Sequence, residues 1–72
     1  VGQLTVQQYD ELERAIVDAQ RIRLFRRGTE YLVIPVRLVQ RNGQEAIQAR
    51  HPTTGSALEI LLAETDHFEV VR

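Results

Sequence analysis

The hydrophobic period of this chain changes once, at Gln20, and that change constrains its fold more than any other feature. Upstream, Tyr9, Leu12, Ile16 and Ala19 recur at steps of three and four, which puts them on one side of an α-helix. Downstream, Ile22 and Leu24 alternate with Arg21, Arg23, Phe25 and Arg27, the period of a strand whose successive side chains leave opposite faces. A chain that gives up the helical period and does not return to it must bury one helix against a sheet built entirely from the residues after Gln20.

The helix is expected over residues 4–20 and carries a complete start signal. Thr5 caps it, and Gln8 at the third helical position completes a Thr-x-x-Gln capping box. Leu4 just outside and Tyr9 at the fourth position make a hydrophobic staple. Asp10, Glu11, Glu13, Arg14 and Asp18 fall mostly on the other side, the early acids favouring the positive end of the backbone dipole.

Five strands are expected after it. The first runs from Arg21 to Arg27 and turns at Gly28-Thr29. Glu30 to Gln40 is long, rich in valine, isoleucine and leucine, and interrupted by Pro35, which cannot donate to a ladder and therefore marks an edge, a bulge or a sharp bend. Asn42-Gly43 is the strongest local signal, because both residues accept the positive φ of a two-residue hairpin turn. Gln44 to Arg50 returns, with Ile47 and Ala49 inward, and Pro52-Thr53-Thr54-Gly55 turns again. Leu58, Ile60 and Leu62 alternate in the fourth strand, Ala63 to Asp66 turns, and Phe68 and Val70 bring the last strand into the core. An open sheet of five strands exposes two edges, whereas a long strand bent at Pro35 serves two sheets and helps to close a small barrel.

At 72 residues the chain makes one domain, expected over residues 1–72, with the helix at 4–20 and the barrel at 21–72. A core this small is marginal and commonly needs a disulfide, a metal or a partner subunit. There is no cysteine, which excludes disulfides and fits a reducing cytoplasm, and two histidines are too few for a zinc set. No metal and no cofactor are therefore expected, and packing or self-association is left to supply stability. No leader and no apolar run near the roughly 20 residues of a membrane span is present, so no membrane partner is expected. A chain beginning at Val1 reads as processed, trimmed or excised from a longer protein.

The order and residues resemble the WYL domain family of bacterial regulators. Leu12-Glu13-Arg14-Ala15-Ile16 through Arg21-Ile22-Arg23-Leu24 is similar to that family's leading helix and first strand. Ile34-Pro35-Val36-Arg37-Leu38-Val39 is similar to its proline-containing second strand, and Arg41-Asn42-Gly43-Gln44 to the glycine turn before its name-giving strand. His51-Pro52-Thr53-Thr54-Gly55 and Leu62 to Val70 resemble its later turns and last strand. The resemblance implies an α+β, mostly β fold, in which a helix leads into a five-stranded antiparallel Sm-like barrel with a binding or regulatory role. Where the family has Trp-Tyr-Leu this chain has Ala46-Ile47-Gln48, and Glu64 stands where the last turn usually carries an arginine, so the chain resembles a divergent member.

Charge is segregated as sharply as hydropathy. Seven of the nine arginines lie between Arg21 and Arg50, against Glu30 and Glu45, a net +5, while residues 1–20 and 51–72 are each net −3. Either the middle presents a cationic face to an anionic partner, or the chain folds its own acids over its own arginines. Lysine is absent, so this charge is all guanidinium, which suits bidentate contacts to phosphate or carboxylate, although codon bias in a GC-rich genome is the simpler source of it.

The candidate site is the strip Arg21, Arg23, Phe25 and Arg27, with Arg37, Arg41 and Arg50 extending the field. Guanidinium groups interleaved with an aromatic ring suit single-stranded nucleic acid, the arginines neutralising phosphates while the ring stacks a base. The competing reading turns Phe25 into the core and leaves a structural interaction module, a homo-oligomer with a dimer favoured, using Leu32, Leu61 and Val71 as an apolar patch. The direction of Phe25 separates the two. An enzyme is not expected. His51 sits in a turn with no nucleophile to serve, adjacent Asp66 and His67 rarely face each other, and no phosphate-cradling glycine loop or catalytic serine motif is present.

Overall fold

The computed structural model describes residues 4–71. The expectations that touch residues 1–3 and Arg72, the ends of the expected domain, lie outside the described residues. The helix α1 spans Val6–Val17, followed by the strands β1 (Ile22–Arg26), β2 (Thr29–Arg41), β3 (Gln44–Arg50), β4 (Ala57–Leu61) and β5 (His67–Val70). A single 3-10 turn, Leu62–Glu64, separates the last two strands. The fold is α+β and mostly β, with every strand pair antiparallel.

The start of α1 is the expected capping box. The Gln8 backbone N–H donates to Thr5 Oγ1 at 3.1 Å, and the Thr5 N–H donates to Gln8 Oε1 at 2.9 Å. The end comes three residues before the expected boundary. Ala19 takes a φ of 53°, the Gln20 N–H donates to the Ala15 carbonyl at 2.9 Å, and the Ala19 N–H donates to the Ile16 carbonyl at 3.3 Å. This is a Schellman termination, with alanine where glycine is usual. Ala19 therefore leaves the apolar stripe and is exposed, while Ala15 is buried beside Leu12 in its place.

The sheet order is β4-β3-β2-β1-β5. As expected of a strand bent at Pro35, β2 serves two half-sheets: Thr29–Val33 pairs with β1, and Ile34–Arg41 pairs with β3. The two edges, β4 and β5, share no ladder among the described residues, so the barrel is open on that side. The register slips by one residue between Pro35 and Arg37, leaving Val36 without a cross-strand partner. Such a bulge bends the strand and re-aims the residues beyond it. Val33 and Pro35 point inward before it, and Leu38 opposite the buried Ile47 points inward after it.

Further differences from the sequence expectation lie at the first hairpin and at Leu62. The first hairpin turns at Arg27-Gly28, not Gly28-Thr29, with φ values of 50° and 79° that match the 53° and 78° of Asn42-Gly43. Both are two-residue turns with positive φ at each position, the geometry that suits the right-handed twist of the flanking strands. Leu62 lies in the 3-10 turn instead of β4, yet stays buried. The core joins Leu12 and Ala15 of α1 to Ile22, Leu24, Val33, Ile47, Ala49, Ile60 and Leu62, with Leu4 closing one end.

Candidate anion-binding face

The side of the sheet turned away from α1 and the core carries the arginines, because the core claims the alternate positions. On β1, Ile22 and Leu24 are fully buried, which sends Arg23 and Phe25 outward. Arg23 stands opposite Leu32 of β2 on one side and Glu69 of β5 on the other, while Phe25 stands opposite Glu30 and His67. Phe25 is half-buried by stacking on the His67 imidazole, with ring centroids 4.2 Å apart and 14° between planes. Its ring therefore lies on the outer face and not in the core.

Arg21 is one residue short of β1 but held in line with it, since its carbonyl accepts from the Val71 N–H at 2.9 Å. Continuing the β1–β2 register by one step sets it opposite Ile34. Ile34 in turn pairs with Arg50 of β3, which pairs with Ala57 of β4. The next outward row is Arg37, Gln48 and Glu59. The half-buried Ile34 thus lies between Arg21 and Arg50 at the junction of the two half-sheets.

Arg27 does not belong to the strip. It occupies the positive-φ corner of the first turn, beyond the end of β1. The seven expected residues therefore divide in three: Arg21, Arg23 and Phe25 along β1, Arg27 in the turn, and Arg37, Arg41 and Arg50 on the second half-sheet.

Their charges are not equally available. Arg41 Nε donates to both carboxylate oxygens of Glu59, at 3.2 and 3.1 Å, and Gln48 Nε2 donates to the same group at 3.3 Å. Those bonds from Arg41, outweighing the opposing effect of burial and helped by Gln48, hold the Glu59 carboxyl below its ordinary range. Arg26 pairs with Glu64, and Arg23 reaches Glu69 at 4.0 Å, with both side chains about half exposed. An ion pair that exposed contributes little, about 0–1 kcal/mol, and yields easily to a competing anion. Among the described residues, Arg14, Arg21, Arg27, Arg37 and Arg50 have no carboxylate within ion-pair distance.

Ile34 and Gln48 were not singled out in the sequence, and His67 was weighed there only as a neighbour of Asp66. Each becomes a neighbour of the strip only through cross-strand register, which no local pattern encodes. His51 is exposed in the β3–β4 loop, its N–H donating to the Ser56 carbonyl and its own carbonyl accepting from Gly55. No cluster of three or more histidine, cysteine or carboxylate side chains that could hold a metal ion occurs among the described residues. No helix among them is long and apolar enough to cross a membrane.

No family model matches this chain, and no curated protein matches it. Among solved structures it is similar to Proteasome accessory factor B/C (PafBC) of Arthrobacter aurescens, with a TM-score of 0.73 and 18% sequence identity over 97% of this chain. The match spans 12% of the PafBC chain. It shows that this sequence shares its fold with one stretch of that longer chain.

Proposed function

We propose that this chain is a non-catalytic binding module whose outer sheet face takes an anionic ligand, single-stranded nucleic acid foremost. The observation that carries the reading is the outward position of Phe25 on the same strand face as Arg23, with Arg21 and Arg50 flanking Ile34 beside it. A ring that faces out between guanidinium groups supplies stacking and phosphate neutralisation together. The likeness to one stretch of an accessory factor favours a regulatory or binding role over an enzymatic one.

Fluorescence anisotropy with a labelled single-stranded oligonucleotide tests this. Three phosphate contacts give a loss of about 10–20-fold in affinity between roughly 50 and 200 mM salt. Arg21→Ala with Arg50→Ala should lower affinity and flatten the salt dependence, and Phe25→Leu should lower affinity without changing the slope. Absence of binding at low salt, or binding indifferent to the arginine pair, overturns the reading.

Self-association is the second reading, and one observation favours it. Val6 and Val17 are 79% and 82% exposed. With Asp10 and Glu13 between them at helical spacing, they line the side of α1 turned away from the core. Light scattering that returns the monomer mass at micromolar concentration sets this reading aside.

A further inference from the structure

The bulge in β2 opens a groove that the strip does not use. It lies across β2, β3 and β4, with Val36, Ala49, Ala57 and Leu58 as its apolar lining and Arg37 and Arg50 at its rim. Three features keep it open. Val36 is displaced from the ladder, the exposed Ala57 stands where a larger side chain would fill the space, and among the described residues β4 has no strand beyond it.

The charge at the rim is one-sided in effect. Glu59 also borders the groove, but its carboxylate is taken up by Arg41 and Gln48. Arg37 stands opposite Gln48, and Arg50 lies two residues further along β3 on the same face, a diagonal relationship of about 7–8 Å that long side chains bridge readily. Neither has a carboxylate partner among the described residues. Two guanidinium groups able to converge beside an aliphatic floor match a ligand with an anionic oxygen head and a short apolar body. No aromatic side chain borders the groove, so it offers no platform for a stacked base.

We propose that this groove binds a small amphipathic anion, an oxyacid head on a short aliphatic chain, with Arg37 and Arg50 holding the head and Val36, Ala57 and Leu58 receiving the chain. The site shares Arg50 with the anion-binding reading of the whole face but needs neither Phe25 nor β1.

Titrations followed through the backbone amide resonances, with octanoate, octyl phosphate and inorganic phosphate as probes, test the proposal. At least one of the two amphiphiles should give saturable shifts centred on Val36, Ala49, Ala57 and Leu58, and should bind about tenfold more tightly than inorganic phosphate. Comparing the two identifies the head as carboxylate or phosphate. Ala57→Leu fills the floor and should abolish amphiphile binding while sparing oligonucleotide binding, and Arg37→Gln, an exposed change that leaves the floor intact, should weaken the amphiphile about tenfold. Failure of both amphiphiles to shift those amides overturns the proposal. So does equal binding of inorganic phosphate, or an Ala57→Leu protein that keeps a dispersed spectrum and still binds the amphiphile. Oligonucleotide binding lost with amphiphile binding retained refutes the reading of the whole face and leaves the groove standing.

Discussion

Phe25 and His67 stack across the β1–β5 pair with ring centroids 4.2 Å apart, on the side of the sheet away from the core. The contact joins the first strand to the last and covers one side of a ring that would otherwise be bare. His67→Ala should therefore destabilise the fold by about 0.2–1 kcal/mol, the range of a cross-strand side-chain pair. Urea midpoints of His67→Ala, Phe25→Ala and the double variant give the coupling directly. A coupling near zero would mean that the rings are neighbours without being energetically linked.

Ala19 sits at a φ of 53°. A left-handed conformation costs a residue with a Cβ about 1–2 kcal/mol, and glycine is spared it. Ala19→Gly also loosens the unfolded chain, which takes back about 0.4–1 kcal/mol. The first term is the larger, so a net gain of about 0.5 kcal/mol is expected, read as a raised urea midpoint with an unchanged slope.

The Tyr9 hydroxyl donates to the Glu45 carboxylate, tying α1 to β3. That bond to Glu45, with burial next and then the nearby negative charge, raises the Tyr9 phenol above its ordinary value of 10.0. A raised folded-state pKa contributes stability that is complete below the unfolded value and disappears as pH rises through the folded one. Stability should thus fall above about pH 10, where unfolded tyrosine ionises, and Tyr9→Phe should remove that component of the alkaline loss. Thermal melts at stepped pH in the alkaline range compare the two proteins.

Glu59 behaves in the opposite sense. Its carboxyl is held low by the hydrogen bonds from Arg41, so its contribution is present above the unfolded value and is lost as pH falls through the folded one. Arg41→Gln should move the Glu59 side-chain carboxyl titration upward toward the ordinary 4.5 and weaken the acid dependence of stability. A carbon-detected NMR titration of Glu59 reads the shift.

Leu24 is fully buried, with Tyr31 and Phe68 as its cross-strand neighbours. Leu24→Ala should cost about 2–5 kcal/mol. A domain of 72 residues has about 4–10 kcal/mol in total, so this one truncation should take the protein to the margin of folding. Calorimetry should show a broad, weak transition or none.

Features fixed within a few residues were legible in the sequence. Thr5 and Gln8 specify the helix start through contacts three residues apart, and Asn42-Gly43 specifies its hairpin through two backbone angles. Residues with no such preference that adopt special angles were not legible. Alanine does not advertise a helix end and arginine does not advertise a turn, so periodicity assigns Ala19 and Arg27 to the regular elements they terminate. The face of Phe25 followed from alternation with Ile22 and Leu24. Its partner His67, and the position of Ile34 between Arg21 and Arg50, depend on how distant strands align, and the groove depends on a bulge whose presence Pro35 suggested but whose extra residue it did not identify.

Val36 is the surplus residue of β2, and this gives the strand one place where chain length is negotiable. Excising a residue elsewhere in β2 reverses inside and outside for everything beyond the cut, sending Leu38 into water and Val39 into the interior. Excising Val36 leaves Pro35, Arg37 and Leu38 alternating inward, outward and inward as they do now. What disappears is curvature: a straightened strand would draw the two half-sheets toward one plane and erase the hollow beside Arg37 and Arg50.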